Sequence, residues 1–327
     1  MSDFITVPLQ YREIPRSATK ASIPAIGYGS GTKHQILKKS RPAEIRHTLH
    51  DDLVSDFYNA FKRGFRHIDT AEVYTTHEEV GEALKRVLDE SEGKLKREDF
   101  FVTDKYSPGF EYKEHNITVP AATSGPYESI NVALKELGLE YIDLYLIHSQ
   151  FFQDRLTHGL SIEDAWLQIE KAFEEGKVRH IGVSNFDTAH LDRIRKVGKY
   201  GPQVLQIEYH AYLQNQSNGI IQYAKDHDIL VEAYSPLAPL SRSPDGPLKD
   251  LLPELVAKYG KTDAQILLRW VYQQGIVVLT TTSNQDRLDD SLAIFGFELD
   301  QEDVEKIREV GASFNFRGFF GGFDQED

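Results

Sequence analysis

Eight short, β-branched apolar runs recur along the chain with amphipathic helical stretches between them, and that alternation restricts the fold more than any other feature of the sequence. The runs fall at 23–27, 65–69, 100–105, 142–148, 180–184, 204–208, 230–234 and 277–280. Helical periodicity occupies 77–89, 127–137, 162–173, 189–196, 219–226, 251–259, 262–273 and 285–294, so strands are expected to alternate with helices along the chain. The run Ile142-Asp143-Leu144-Tyr145-Leu146-Ile147 is apolar at nearly every position, as suits a parallel sheet covered on both faces. Eight such units predict an α/β fold of the closed (β/α)8 TIM barrel type. The rival, a doubly wound sheet, wants a glycine-rich phosphate turn between its first strand and a helix. Gly27, Gly29 and Gly31 stand there, but Lys33, His34 and a basic, weakly periodic stretch follow, so tight-turn use of these glycines is the stronger reading. With no Pro/Gly/Ser-rich linker and no signature repeat, residues 1–327 read as a single domain.

Charge and sulfur content narrow the chemistry. The 51 acidic against 37 basic residues leave a net charge of −14, so a polyanion meets repulsion and no nucleic-acid partner is expected. Cysteine is absent, which excludes disulfides, thiolate metal sites and cysteine nucleophiles. The first residues carry Asp3, Arg12, Glu13 and Arg16 with no apolar leader-type run, and no later segment approaches ~20 consecutive apolar residues, so the expectation is a cytoplasmic protein with no membrane partner. The sequons at Asn116 and Asn215 are read as chance on the same ground.

In a barrel of this class the active site lies at the C-terminal ends of the strands, so the polar residues that end apolar runs are the ones to inspect. The second run ends in Asp69 and leads to Tyr74, the third ends in Lys105, the fourth in His148, the fifth in Ser184 and Asn185; the sixth carries Gln206, and the seventh ends in Tyr234 and Ser235. Each has a bland alternative: a helix cap for Asp69, a snorkelling amine for Lys105, a satisfied core histidine for His148, an amphipathic loop residue for Tyr74. Their joint placement favours chemistry. A lysine paired with Asp69 stays cationic, and a cation beside a phenol lowers its pKa, which makes Tyr74 a candidate general acid. None of the 12 histidines has His-Glu-x-x-His spacing or a paired His-x-His at a strand end, so no metal is expected. A Gly-x-Ser-x-Gly nucleophile is absent as well, since the stretch from Gly182 ends in Phe186.

Gly64-Phe65-Arg66-His67-Ile68-Asp69-Thr70-Ala71-Glu72-Val73-Tyr74, with Glu79-Val80-Gly81 behind it, resembles the first signature of the aldo-keto reductases. Leu144 to His148, Gly182 to Phe186, Gln206 to His210 and Glu232 to Leu237 resemble further blocks of that family in the same order, and the resemblance spans roughly Pro24 to Gly311. It implies a (β/α)8 reductase of aldehydes and ketones that binds NADPH (NADP+) extended across the barrel mouth, with NADH less preferred. It further implies Tyr74 as proton donor, Lys105 and Asp69 as the ion pair that tunes it, and His148 as the group orienting the carbonyl oxygen. Ser184, Asn185 and Gln206 would hold the nicotinamide carboxamide, Tyr234 would stack on its ring, and Ser235, Leu237, Thr281, Thr282, Ser283 and Arg287 would serve the rest of the cofactor. A small-molecule carbonyl substrate and a monomer are the family expectations.

Departures from the family shape two further expectations. Thr280-Thr281-Thr282-Ser283 replaces the common Pro-Lys-Ser, which leaves Arg287 and the hydroxyls of Thr282 and Ser283 to hold a 2′-phosphate. His34 and Ser149 stand where many relatives place tryptophan, so a pocket without those walls is expected to take bulkier or more polar carbonyls. Short segments are similar to the fungal branch of conjugated polyketone (ketopantoyl lactone) reductases and α-keto amide reductases, which points to activated dicarbonyls and keto esters. The segment from Ser107 to Pro126 reads as an excursion, and the tail 312–327, with Phe314, Phe316, Phe319, Phe320 and Phe323, as a flap over an apolar mouth or a plug on the barrel exterior. The rival to an enzyme is an NADPH-binding redox sensor or scaffold resembling potassium-channel β subunits.

Overall fold

The computed structural model describes residues 8–17, 20–112 and 117–321; Asp3, Asn116 and Phe323 lie outside them. Two short strands, β1 (Tyr11–Glu13) and β2 (Ser22–Pro24), pair antiparallel ahead of β3 (Ile26–Gly29). The first barrel strand therefore begins three residues later than the apolar run at 23–27. Pro24 has no N–H for a central ladder, and it sits opposite Tyr11 in the hairpin instead.

The chain continues through α1 (Lys33–Lys39), α2 (Asp51–Lys62), β4 (His67–Asp69), α3 (His77–Glu90), β5 (Phe101–Tyr106), β6 (Phe110–Tyr112), β7 (Ile117–Val119), α4 (Pro126–Leu137), β8 (Ile142–Ile147), α5 (Ile162–Glu174) and β9 (Val178–Ser184). It then runs through α6 (Thr188–Val197), β10 (Val204–Glu208), α7 (Ile220–Asp226), β11 (Leu230–Tyr234), α8 (Ala238–Ser241), α9 (Leu248–Tyr259), α10 (Asp263–Gln273), β12 (Val277–Thr280), α11 (Gln285–Leu292) and α12 (Gln301–Ala312). Strands β3, β4, β5, β8, β9, β10, β11 and β12 close into one parallel barrel, each beside its neighbour in sequence. This is the (β/α)8 TIM barrel. The excursion after β5 holds β6 and β7, an antiparallel pair with Phe110 opposite Val119.

Helices α1, α2, α8 and α12 are absent from the expectation. For α2 the signal was present: Leu53, Val54, Phe57, Ala60 and Phe61 share one buried face, behind an acidic first turn of Asp51 and Asp52. Helix α1 gave none, because it is short, basic and opens on Thr32, whose φ of 49° and lack of a side-chain cap leave no start motif.

Chain contacts cluster into two compact units. In the first, residues 28–203, α2 places Phe57 and Phe61 in an aromatic core with Tyr28, Phe65 and Phe100, all buried. Tyr28 meets Phe57 and Phe65 edge-on at ring separations of 6.2 and 5.6 Å. In the second, residues 8–27 and 204–321, α10 is fixed by a capping box in which Thr262 accepts from the Gln265 N–H and Gln265 accepts from the Thr262 N–H. That start aims Trp270 inward, where it stacks on Tyr209 at 5.8 Å. No helix among the described residues is long and apolar enough to cross a membrane.

Candidate active site

Four polar residues of the first unit meet at the ends of β4, β5 and β8. Asp69 is the last residue of β4, and a single 3-10 turn (Glu72–Tyr74) follows, bringing Tyr74 back toward β5. Lys105 lies in β5, fully buried, with its Nζ 2.6 Å from Asp69 Oδ1 and 2.9 Å from the Thr70 carbonyl. The ammonium also faces the Tyr74 ring, 5.2 Å from its centroid. The Tyr74 hydroxyl stands 3.5 Å from His148 Nε2, and the two rings meet edge-on at 5.6 Å.

Electrostatics assign charges within this group. Burial, the largest influence, pulls the Lys105 ammonium down, yet the neighbouring acidic groups, Asp69 foremost, together outweigh it and the net shift is upward, so Lys105 is a cation. Burial and the Lys105 charge together hold His148 well below the ordinary histidine range, so its ring is neutral. For Tyr74 the sequence expectation needs correcting: burial raises its pKa by more than Lys105 lowers it, and Asp69 adds to the rise. The phenol is therefore firmly protonated, and the ammonium acts by limiting an increase.

Two supports around this group were missed. Glu72, in the turn that carries Tyr74, accepts from the Ser107 N–H at 3.3 Å, from Ser129 Oγ at 2.9 Å and from Thr123 Oγ1 at 3.3 Å, tying the turn to the segment after β5. Gly31 lies flat against Tyr74, since an added Cβ would stand 2.9 Å from its ring. Ser107 obeys the rule that found Lys105, a polar residue at a strand end, and was legible on that ground. His34, by contrast, does not shape a pocket. It is fully buried, 5.0 Å from the Phe57 ring, with Nε2 3.5 Å from Tyr28 Oη and 3.3 Å from Asp56 Oδ2; Ser149 is buried too. The expected loss of a pocket wall at His34 is therefore a core substitution.

Ser184 ends β9 and Asn185 follows it with a left-handed φ of 56°. The Asn185 amide donates to the His148 carbonyl at 2.8 Å and to Ser184 Oγ at 2.9 Å, joining these candidates to the quartet. A left-handed asparagine costs free energy that the surrounding contacts must offset, and such residues gather at functional sites.

The second unit carries the other candidates. Gln206, in β10, donates to Glu232 Oε2 of β11 at 3.0 Å. Tyr234 ends β11; its hydroxyl accepts from the Gln216 amide at 3.1 Å, and Ser235 behind it is again left-handed, φ 55°. Ser235 and Leu237 lend carbonyls to the turn into α8. After β12, Thr282 Oγ1 accepts from the Asn284 N–H, and Asn284 caps α11 by accepting from the Arg287 N–H at 3.0 Å. Arg287 thus sits exposed in the first turn of α11 beside exposed Ser283, and no carboxylate among the described residues pairs with its guanidinium. Thr281 Oγ1 is shielded from solvent with no hydrogen-bond partner among the described residues. The tail is anchored here as well: Glu208 accepts from the N–H groups of Gly318 and Phe319 at 2.8 and 3.0 Å, and Phe319 packs edge-on to Tyr234 at 5.7 Å.

Residues 47–312 match the sequence model of the Aldo/keto reductase family. The chain is 41% identical over 295 residues to an NADPH-dependent alpha-keto amide reductase of Saccharomyces cerevisiae, covering 88% of each chain. It is 34% identical over 312 residues to an NAD/NADP-dependent indole-3-acetaldehyde reductase of Schizosaccharomyces pombe, covering 94% of this chain and 99% of that one. Among solved structures, an aldo-keto reductase from a Medee basin deep-sea metagenome library superposes with a TM-score of 0.73 at 31% identity, covering 97% of this chain and all of the other. A Bombyx mori aldo-keto reductase in complex with NADP gives the same score at 26% identity, covering 94% of this chain and 93% of that one. The chain belongs to the aldo/keto reductase family and is an oxidoreductase.

Proposed function

We propose that this protein reduces activated carbonyls, namely α-keto amides, keto lactones and keto esters, together with aldehydes, using NADPH in preference to NADH and Tyr74 as the proton donor. The observation that carries the reading is the buried Lys105 ammonium, 2.6 Å from Asp69 and facing the Tyr74 ring, with the Tyr74 hydroxyl beside neutral His148. NADPH, when bound, supplies the hydride. The chain does the rest. Negative charge that grows on the substrate oxygen is met by the Tyr74 hydroxyl, which donates its proton. The phenolate left behind is stabilised by Lys105, whose own charge is held by Asp69.

The residues fit the cofactor. The Thr281 hydroxyl, shielded and unpartnered among the described residues, suits a phosphate or ribose oxygen, and Arg287 at the start of α11 suits the 2′-phosphate, where a guanidinium binds bidentately. Ser184, Asn185 and Gln206 are assigned to the carboxamide and Tyr234 to the nicotinamide face. The relative named NADPH-dependent supports a preference for the phosphorylated cofactor, and the one named NAD/NADP-dependent supports NADH as a second, less preferred donor.

A panel of α-keto amides, keto lactones, keto esters, aldehydes and sugars followed by NADPH absorbance tests the reading. Turnover of the activated dicarbonyls is expected. A protein that quenches NADPH fluorescence yet consumes none with any carbonyl contradicts it and leaves the sensor reading. Removing the guanidinium with Arg287→Ala should lower the ratio of kcat/KM with NADPH to that with NADH by at least about tenfold, since hydrogen bonds to charged groups are worth roughly 1.5–3 kcal/mol. An unchanged ratio detaches Arg287 from the phosphate.

A further inference from the structure

Ser107 is the residue just after β5, and its side chain makes one contact that the reaction scheme above does not use: Oγ lies 3.1 Å from His148 Nδ1. Its backbone is fixed independently. The Ser107 N–H donates to Glu72 Oε2, and Glu72 is held in turn by Ser129, whose Oγ accepts from the buried Tyr145 hydroxyl at 2.8 Å. Ser107 is also largely buried, 8% exposed, so its hydroxyl hydrogen has little access to solvent and needs a protein acceptor.

Among the described residues, His148 Nδ1 is the acceptor that this hydroxyl reaches. If Ser107 donates there, Nδ1 carries a lone pair. A neutral imidazole with its lone pair on Nδ1 has its hydrogen on Nε2. Nε2 is the nitrogen that faces the Tyr74 hydroxyl.

We infer that Ser107 is a positioning residue that fixes His148 as the Nε2–H tautomer, so that His148 and Tyr74 both present a hydrogen to the substrate oxygen. The inference rests on the reductase reading of the site. Burial and the nearby Lys105 charge, which keep His148 neutral, supply the condition under which a tautomer matters at all. Without the Ser107 hydroxyl the ring is free to carry its hydrogen on Nδ1 and to turn the Nε2 lone pair toward the carbonyl oxygen, where it repels the charge that develops there.

Long-range ¹H–¹⁵N NMR on the ligand-free, ¹⁵N-histidine-labelled full chain at pH 7 reads the tautomer directly. His148 in the unmodified protein should show a protonated Nε2 and a bare Nδ1, and Ser107→Thr should keep that pattern. Ser107→Ala should add the Nδ1–H form and lower kcat about tenfold, the scale of one hydrogen bond, with the dissociation constant for NADPH unchanged; Ser107→Thr should restore kcat to within about twofold. A protonated Nδ1 in the unmodified, active protein overturns this inference alone, whatever the variants do, as does Ser107→Ala with full kcat. An unmodified protein that reduces no carbonyl in the panel overturns the reductase reading and the catalytic half of this inference together.

Discussion

Gly31 has no room for a side chain, because a Cβ there would stand 2.9 Å from Cε2 and Cζ of the Tyr74 ring. Alanine at this position must push the ring off its seat, and Tyr74, as the proposed proton donor, then loses alignment before the fold loses stability. Gly31→Ala is therefore expected to lower kcat by about tenfold or more while the melting temperature moves by only a few degrees, measured by steady-state kinetics and calorimetry on the same preparation. Unaltered kcat would mean the ring finds an equivalent position. Asp69, Lys105 and His148 were legible because strand ends in a parallel barrel share one rim, so polar residues that end apolar runs converge. The direction of the Tyr74 shift was not legible. It depends on how much protein surrounds the phenol compared with one nearby charge, and only packing decides that. His34 failed for a related reason: a position within a motif does not say which way the side chain turns, and α2 supplies a core that accepts it.

The start of α3 carries an electrostatic cost that its neighbours reverse. His77 is its first residue, where the helix dipole disfavours a cation, yet Nε2 lies 2.8 Å from Asp104 Oδ1 and Nδ1 lies 2.9 Å from Glu136 Oε2. Burial alone lowers its pKa, but Asp104 and then Glu136 raise it from 6.5 to about 10. The folded state thus holds a proton that the unfolded chain releases earlier. Its contribution to stability is complete below pH 6.5 and is lost as the pH rises toward and through about 10. Urea midpoints measured across that window should fall for the unmodified protein and fall less for His77→Gln; parallel curves would show that the histidine does not hold the proton. At this scale the repeating strand–helix units were plain, and α2 was overlooked despite a regular apolar face at 53, 54, 57, 60 and 61. The β6–β7 pair and α1 were not legible, because short elements in irregular segments owe their existence to tertiary contacts more than to local pattern.

The order of the barrel follows from the sequence because consecutive strands become neighbours, so finding eight units nearly determines the closure. The clustering into two units leaves no such trace: its divisions at 27/28 and 203/204 fall within β3 and just before β10, where composition does not change. The proposed chemistry is assigned to the polar ends of strands, and the claim on which the rest stands is that one of those groups, Tyr74, gives up a proton while Lys105 holds the charge left behind. Its most direct test is Tyr74→Phe, which removes one hydroxyl oxygen and keeps the ring. With the best carbonyl of the panel, kcat should drop by roughly 10²–10⁴-fold while the NADPH dissociation constant stays within about twofold. A Tyr74→Phe enzyme that binds NADPH and turns over at the unmodified rate would contradict the account.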